Sequence, residues 1–510
     1  MSTANRIIKN TGYLYAKMGI TMFISLYTTR LILNSLGATD FGIFNIVGGA
    51  IAMLGFLNAA MAGATQRFMS YTEGEGNKEK QKSIFNVSVV LHLLIALIVG
   101  VVLLIAGYFF FNGILNIPSD RIFAAQVVYG SLIVSTMFTV MTVPYDAVLN
   151  AHENMLYYSI VGIIESVLKL IVAFIVVYTL SDKLIVYGIL MACIPLIAMS
   201  IMRVYCHKHY EECIIRPRRY WHKGLMKEMT SFAGWNLFQV AAAVITNSGI
   251  GIVINMFFGV ILNAAQGIAN QICGQLMSLT NILTKAITPV IVKSEGANNR
   301  EKAIQIANTA SKLTFSMTAC LGIPALLVMP ELLRFWLKEV PEYAVFFAGC
   351  QLIIAMCEQL TSGYNSVIMA TGKVKNISIT KAVIKFAYLP IAYLLFKIKI
   401  DITIVYCILV LIQGLLNGLM IPVFFMQKIL HYPYIKFLKK VLFPCISAFI
   451  IAILMGKTCL LLFDGTISIV ITIISSFLLF SISMFILGLN SQEKNAIHNI
   501  LVQIKTTPKK

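Results

Sequence analysis

The chain is 510 residues long, 58% apolar and only 12% charged, with a formal net charge of +19. So few charges cannot cover the surface of water-soluble domains of this total length, which excludes a string of ordinary globular domains. The basic excess does not mark a nucleic-acid binder either, because the Lys and Arg residues sit mostly in alternate loops between apolar runs.

The apolar runs, taken in order, predict fourteen membrane-crossing helices. A hydrocarbon core about 30 Å thick needs about 20 apolar residues to cross as a helix. Backbone groups in lipid must bond internally, so continuous runs of that length mean helices and not a barrel. Residues 1–10 are polar and carry no obvious cleavable signal, so the first run stays as a span. The predicted spans are 11–36, 41–69, 84–111, 122–149, 155–180 and 184–205, then a basic loop, 207–227. Spans 229–258, 262–292, 303–329, 343–370, 377–396 and 402–426 follow, then a second basic loop and spans 441–463 and 466–489. With the N-terminus in the cytoplasm, the inner loops and tails hold about 26 Lys/Arg and the outer loops about 7. The inner set includes Arg6, Lys78, Arg216, Arg219, Lys439, Lys509 and Lys510; the outer set includes Arg121, Lys183, Lys338, Lys397 and Lys399. Both termini are therefore expected in the cytoplasm.

The first half is echoed by the second. Gly12 recurs as Gly234, Gly37 as Gly259, Glu73 as Glu295, Asn86 as Asn308 and Gly100 as Gly322, all at one offset of 222 residues. A shared offset over several spans indicates internal duplication. Six spans per copy is an even number, so both copies insert the same way round, a parallel repeat. The expected organisation is an all-α polytopic membrane protein: a six-helix lobe over 1–206, a cytoplasmic connecting loop over 207–228, and a second lobe over 229–427. Two additional helices over 428–489 and a cytoplasmic tail over 490–510 complete it. No loop is long enough for a soluble catalytic domain.

Ionisable residues inside spans are costly and face a bundle interior, a cavity or the headgroups. The cations are Lys17, Arg30, Arg67, Lys285, Lys312, Lys381 and Lys385. Arg30 either reaches a lumen or snorkels to the headgroups; Lys17 has the same two readings, and Arg67 and Lys285 read as inner-face anchors as well as lumen cations. Lys381 and Lys385 share one helix face. Glu165 and Lys169 are spaced as an i,i+4 pair, which either locks helices or couples to a proton; Asp146 and Glu358 are further candidates for ion coupling. Asp40 is placed to cap the second helix. The run 206–213 (Cys-His-Lys-His-Tyr-Glu-Glu-Cys) fits no zinc spacing and reads as a surface loop. No cofactor or metal is implied.

The stretch Arg30-Leu-Ile-Leu-Asn-Ser-Leu-Gly-Ala-Thr-Asp-Phe-Gly-Ile-Phe-Asn-Ile-Val-Gly-Gly resembles bacterial polysaccharide flippases of the O-antigen (Wzx) type, within the superfamily of MATE-like exporters. Two more stretches carry the resemblance: Ala64-Thr-Gln-Arg-Phe-Met-Ser-Tyr, and Pro144-Tyr-Asp-Ala-Val-Leu-Asn-Ala-His-Glu-Asn-Met. It implies transport of an undecaprenyl-diphosphate-linked oligosaccharide from the cytoplasmic to the outer leaflet of the bacterial inner membrane, by alternating access and without covalent chemistry. Arg30, Lys17, Lys285, Lys381, Lys385 and Arg67 would then line a wet cationic passage, because a bare phosphate in hydrocarbon is prohibitive. The partners implied are the bilayer, the lipid-linked sugar, and a polysaccharide polymerase and glycosyltransferases. The alternatives are a MATE-type drug or cation antiporter, which would favour an acidic lumen, and a membrane polymerase or ligase, which would need a larger outer loop. A scaffold for an assembly complex is the fourth.

Overall fold

The computed structural model describes residues 3–52, 55–114, 117–337, 339–491 and 493–494. Lys338, Lys509, Lys510 and the tail from 495 onward lie outside the described residues. Among the described residues the chain is helical throughout, with no strand. The helices that matter below are α1 (Thr3–Ala52), α2 (Gly55–Glu75), α3 (Lys78–Phe109), α4 (Ile122–Ala151), α5 (Met155–Tyr178) and α6 (Lys183–His209). They continue with α7 (Lys223–Gly296), α8 (Arg300–Leu327), α9 (Ala344–Gln359), α10 (Ser362–Ala370), α11 (Lys375–Lys397) and α12 (Ile402–Leu409). A π-helical segment, Val410–Met420, leads into α13 (Ile421–Leu430); α14 (Phe443–Leu462) and α15 (Gly465–Ser483) close the order.

The protein is a multi-pass membrane protein. Among the described residues, ten helices are long and apolar enough to cross a bilayer, or eleven if α9 and α10 form one broken span. The predicted fourteen is not reached on that measure. One reason is α7, whose 74 residues would stretch about 110 Å, far more than one crossing; it holds two predicted spans joined at Gly259.

The duplication is written into the backbone. α1 breaks at Gly37 (φ 76°, ψ 170°) and α7 breaks at Gly259 (φ 79°, ψ −171°). That region of backbone space is open essentially to glycine alone. Glu73 pairs with Lys78 at 3.4 Å, and Glu295 receives the Arg300 Nε–H at 3.1 Å. Asn77 caps α3 by accepting from the Lys80 amide at 3.0 Å; Asn299 caps α8 by accepting from the Lys302 amide at 3.1 Å. The buried Asn86 donates to the Ile214 carbonyl and accepts from the Arg216 amide, both at 2.7 Å. Its counterpart Asn308 donates to Tyr432 at 3.4 Å and accepts from Tyr364.

The chain forms two compact units. The N-unit spans Ile8–Leu237 with Gly296–Asn298; the C-unit takes Phe238–Glu295 and the chain from Asn299, with the first residues through Ile7. The N-unit core sets Val47, Val99, Leu103, Val128 and Leu184 together, with a second cluster around Ile32, Val172 and Val176. In the C-unit, Cys445, Ala448 and Ala452 of α14 and Phe480 of α15 pack into the same core as Phe315 and Tyr364. Apolar side chains such as Ile98, Leu104, Ile252 and Ile474 stay exposed, as a lipid-facing surface requires.

Two local expectations change. Asp40 engages the Arg121 guanidinium, whose Nε donates to it at 2.9 Å, while Arg121 Nη1 donates to Asp182 at 2.6 Å. This knot ties together the residues after the Gly37 break and the starts of α4 and α6. The guanidinium hydrogen bond holds the Asp182 carboxyl below its ordinary range. Second, the run 206–213 is a surface segment with buried ends: His207, Lys208, His209 and Glu211 are exposed, while Cys206, Glu212 and Cys213 are 0%, 2% and 1% exposed. His152 meets Glu212 and stacks on Tyr210, and Asn86 holds the chain just beyond at Ile214.

Replacing Gly259 by Ala should cost about 2 kcal/mol, because a Cβ does not fit that backbone. It would be read as a lower melting temperature in detergent, with Gly267→Ala, which meets nothing nearby, as the neutral control.

Candidate functional site

Hydrocarbon makes every ion held within a span seek a partner, so such charges cluster. Each unit builds one such cluster.

In the N-unit, Lys17 of α1 lies over the Tyr158 ring of α5, with Nζ 4.1 Å from the centroid, a cation–π contact strengthened where water is scarce. The same ammonium acts electrostatically on the Tyr158 hydroxyl. Gly162, one turn beyond Tyr158, makes the room: a Cβ there would sit 2.1 Å from Lys17 Cε. Glu165, another turn on, interacts electrostatically with Lys169 and with Lys17. Asp146 of α4 acts on Tyr158 as well. Lys17, Asp146 and Glu165 are thus gathered around one tyrosine, and Lys169 joins through Glu165. Tyr158 was missed in the sequence, although Tyr158, Gly162 and Glu165 follow the helical period and lie on one face.

In the C-unit, Lys381 of α11 is 9% exposed and donates from Nζ to Asn365 Oδ1 of α10 at 3.0 Å. Glu358 and Lys385 both act on it electrostatically. Lys385 is half-buried, and its backbone carbonyl accepts from Thr246 of α7 at 3.0 Å. A broken helix supplies the partners. α9 and α10 bend by 46°, and the backbone groups freed there are met from neighbouring helices. Thr314 Oγ donates to the Gln359 carbonyl at 3.1 Å, and the Gly363 amide donates to Ser311 Oγ at 3.1 Å. Thr361 Oγ donates to the Gly418 carbonyl at 2.6 Å. The continuous span predicted over 343–370 is therefore interrupted, and the interruption sets Glu358 and Asn365 on either side of the bend. Packed beside Glu358, the π-helical segment leaves Gln413 Nε2 and Asn417 Oδ1 buried without a hydrogen-bond partner among the described residues.

The other candidates are placed as follows. Arg30 is exposed on α1, a turn from the exposed Leu26, Tyr27 and Leu33. Arg67 is buried, its guanidinium against the rings of Phe68, Tyr71 and Phe232 at 4.6, 4.8 and 5.5 Å. Lys285 is half-buried on α7. Lys312 is buried, donates to the Gly488 carbonyl at 2.9 Å and pairs with Glu493 just beyond the last helix.

Residues 7–295 match the family model described as polysaccharide biosynthesis protein. The chain belongs to that family. No curated protein is similar enough in sequence to count as a relative. Among solved structures, this member of the polysaccharide biosynthesis family shares its fold with MATE proteins. A crystal structure of a MATE mutant superposes with a TM-score of 0.69 at 14% identity, over 83% of this chain and 96% of that one. An outward-facing multidrug resistance MATE transporter of the MOP superfamily gives 0.67 at 13% identity, over 82% and 95%. A MOP superfamily transporter from Pyrococcus furiosus gives 0.63 at 14%, over 82% and 96%.

Gly162→Ala should push Lys17 off the Tyr158 face while leaving the fold intact, since the obstructed atoms are the tip of a flexible side chain. The lost contact, worth about 1 kcal/mol, should be read as a lower melting temperature in detergent. Gly130→Ala, which meets nothing within 4 Å, should leave the melting temperature unchanged.

Proposed function

We propose that this protein is a membrane transporter, not an enzyme, and that it moves a lipid-diphosphate-linked oligosaccharide across the bacterial inner membrane during surface polysaccharide assembly. Family membership supports the pathway, and the MATE fold supports movement across the bilayer. The observation that carries the reading is that each unit keeps a lysine within its spans, Lys17 and Lys381, held by neutral or aromatic groups as well as by carboxylates. Such a lysine can release a weak partner and take a phosphate oxygen without being stranded as a bare ion. The Pyrococcus furiosus transporter is described as having a binding pocket of reverse polarity that suggests a different function; a cationic passage here fits that divergence within one fold.

The lipid tail stays in the bilayer while the headgroup passes the cations, and the units alternate access to the two sides. Arg30 offers a bidentate contact to the diphosphate, and Lys285, Lys385 and Arg67 add positive potential. Glu165, Lys169, Asp146 and Glu358 supply charges whose re-pairing couples transport to an ion. Both termini face the cytoplasm, where glycosyltransferases supply the cargo, and a polymerase uses it on the far side. A MATE-like cation antiporter would instead need carboxylates free for cations, whereas Glu165 and Glu358 each have lysines beside them.

The test is complementation of a strain lacking its own flippase. Arg30→Ala should lower surface polymer by about tenfold or more at equal protein level, and Arg30→Lys should restore part of it because the charge remains while the bidentate fork is lost. Full export by Arg30→Ala would remove Arg30 from the passage.

A further inference from the structure

The duplication has diverged at one place in a way that opens a pocket. In the N-unit, Arg121 joins Asp40 and Asp182, filling the space where three helix connections meet. The repeat offset carries Asp40 to Leu262 and Arg121 to Tyr343. Asp182 caps α6 by accepting from the amide two residues on, Leu184, at 3.0 Å; Asp401 does the same for α12 with Thr403 at 2.8 Å. The C-unit therefore keeps one carboxylate of the knot and has lost the guanidinium and the other. In place of the knot lies a cavity of about 670 Å³, lined by Leu262, Tyr343 and Asp401 among others.

Its walls are chemically mixed. Phe257 and Phe258, just before the Gly259 break, pack on Phe396 with ring centroids at 5.8 and 5.0 Å. Around this aromatic floor stand Glu342, Lys397, Lys399 and Asp401, all exposed. Tyr343 and Lys399 hold left-handed backbone, with φ of 63° and 60°, uncommon for side-chain-bearing residues and recurrent at ligand clamps. The pocket lies at the turn between α11 and α12, both parts of candidate spans, so it sits at the level of the lipid headgroups.

We propose that this pocket binds a zwitterionic phospholipid carrying a phosphoethanolamine headgroup. The ammonium takes the place of the missing guanidinium, near Asp401 and Glu342 and against the aromatic rings. The phosphate meets Lys397 and Lys399. The first acyl carbons lie on the phenylalanine floor. An anionic phospholipid satisfies the lysines but leaves the two carboxylates facing a negative ligand, so the pocket discriminates by the ammonium. The cavity volume lies within the range of small-molecule sites.

The full-length protein in detergent, titrated with phosphatidylethanolamine or phosphatidylglycerol of matched chains, is read by native mass spectrometry. The ethanolamine lipid should be retained about tenfold more strongly. Tyr343→Arg, which restores the residue type of the twin site, should abolish that preference, and Glu342→Gln should weaken it; melting temperatures check that both variants fold. Free phosphoethanolamine should compete only weakly, because it lacks the chains. Equal retention of the two lipids, an unchanged preference in folded Tyr343→Arg, or tighter binding of an amino sugar than of the lipid would each overturn the assignment.

Discussion

An ion inside hydrocarbon must be partnered, and that constraint organises this molecule. Three lysines within spans meet it in three ways. Lys17 rests on an aromatic face in a space a glycine leaves open. Lys381 reaches an amide oxygen presented by a broken helix. Lys312 is closed off by a carboxylate from beyond the last helix. The first two arrangements are exchangeable, because a ring face or an amide oxygen can be given up without leaving a bare charge behind. The third pairs two full charges, and removing either would strand the other at a cost of several kcal/mol. Lys312 is thus built to hold the C-unit together, while Lys17 and Lys381 are the lysines that the proposed transport would use.

The two units solve the same problem with different residues. Lys17 of α1 faces α5; its repeat counterpart, Gln239 of α7, accepts a hydrogen bond from Ser378 of α11 at 3.3 Å. The lysine of the C-unit sits instead on α11, one turn from Ser378. The contact between the first and fifth helices of each copy has therefore kept a cation while moving it to the other helix. Features that set the path of the chain, such as the breaks at Gly37 and Gly259 and the Asn77 and Asn299 caps, were preserved, and features that set the chemistry were free to drift.

Much of the architecture was legible because its causes are local. Apolar run length marks a span whatever it packs against, and a glycine that must adopt a positive φ leaves a repeat signal at a fixed offset. What escaped is non-local. The break at 360–361 depends on Ser311, Thr314 and Gly418 from other helices, and nothing in the tenth run announces it. Tyr158 carries no sequence signal of its own, because the Lys17 on its face is distant in sequence. The burial of Glu212 inside the run 206–213 goes with His152, far upstream. Asp40 was read as a cap because its helix neighbours suggest one, whereas its partner Arg121 lies 81 positions away.

The most direct measurement is movement of a lipid-diphosphate-linked oligosaccharide in vesicles containing the purified protein, followed by exposure of the sugar to an external glycosidase. The native chain should translocate it, and a Lys17→Gln, Lys381→Gln variant that folds and inserts equally should do so at least about tenfold more slowly. Equal rates for the two proteins, or no translocation by the native chain under conditions where it moves an organic cation, would contradict a passage that works by its positive charge.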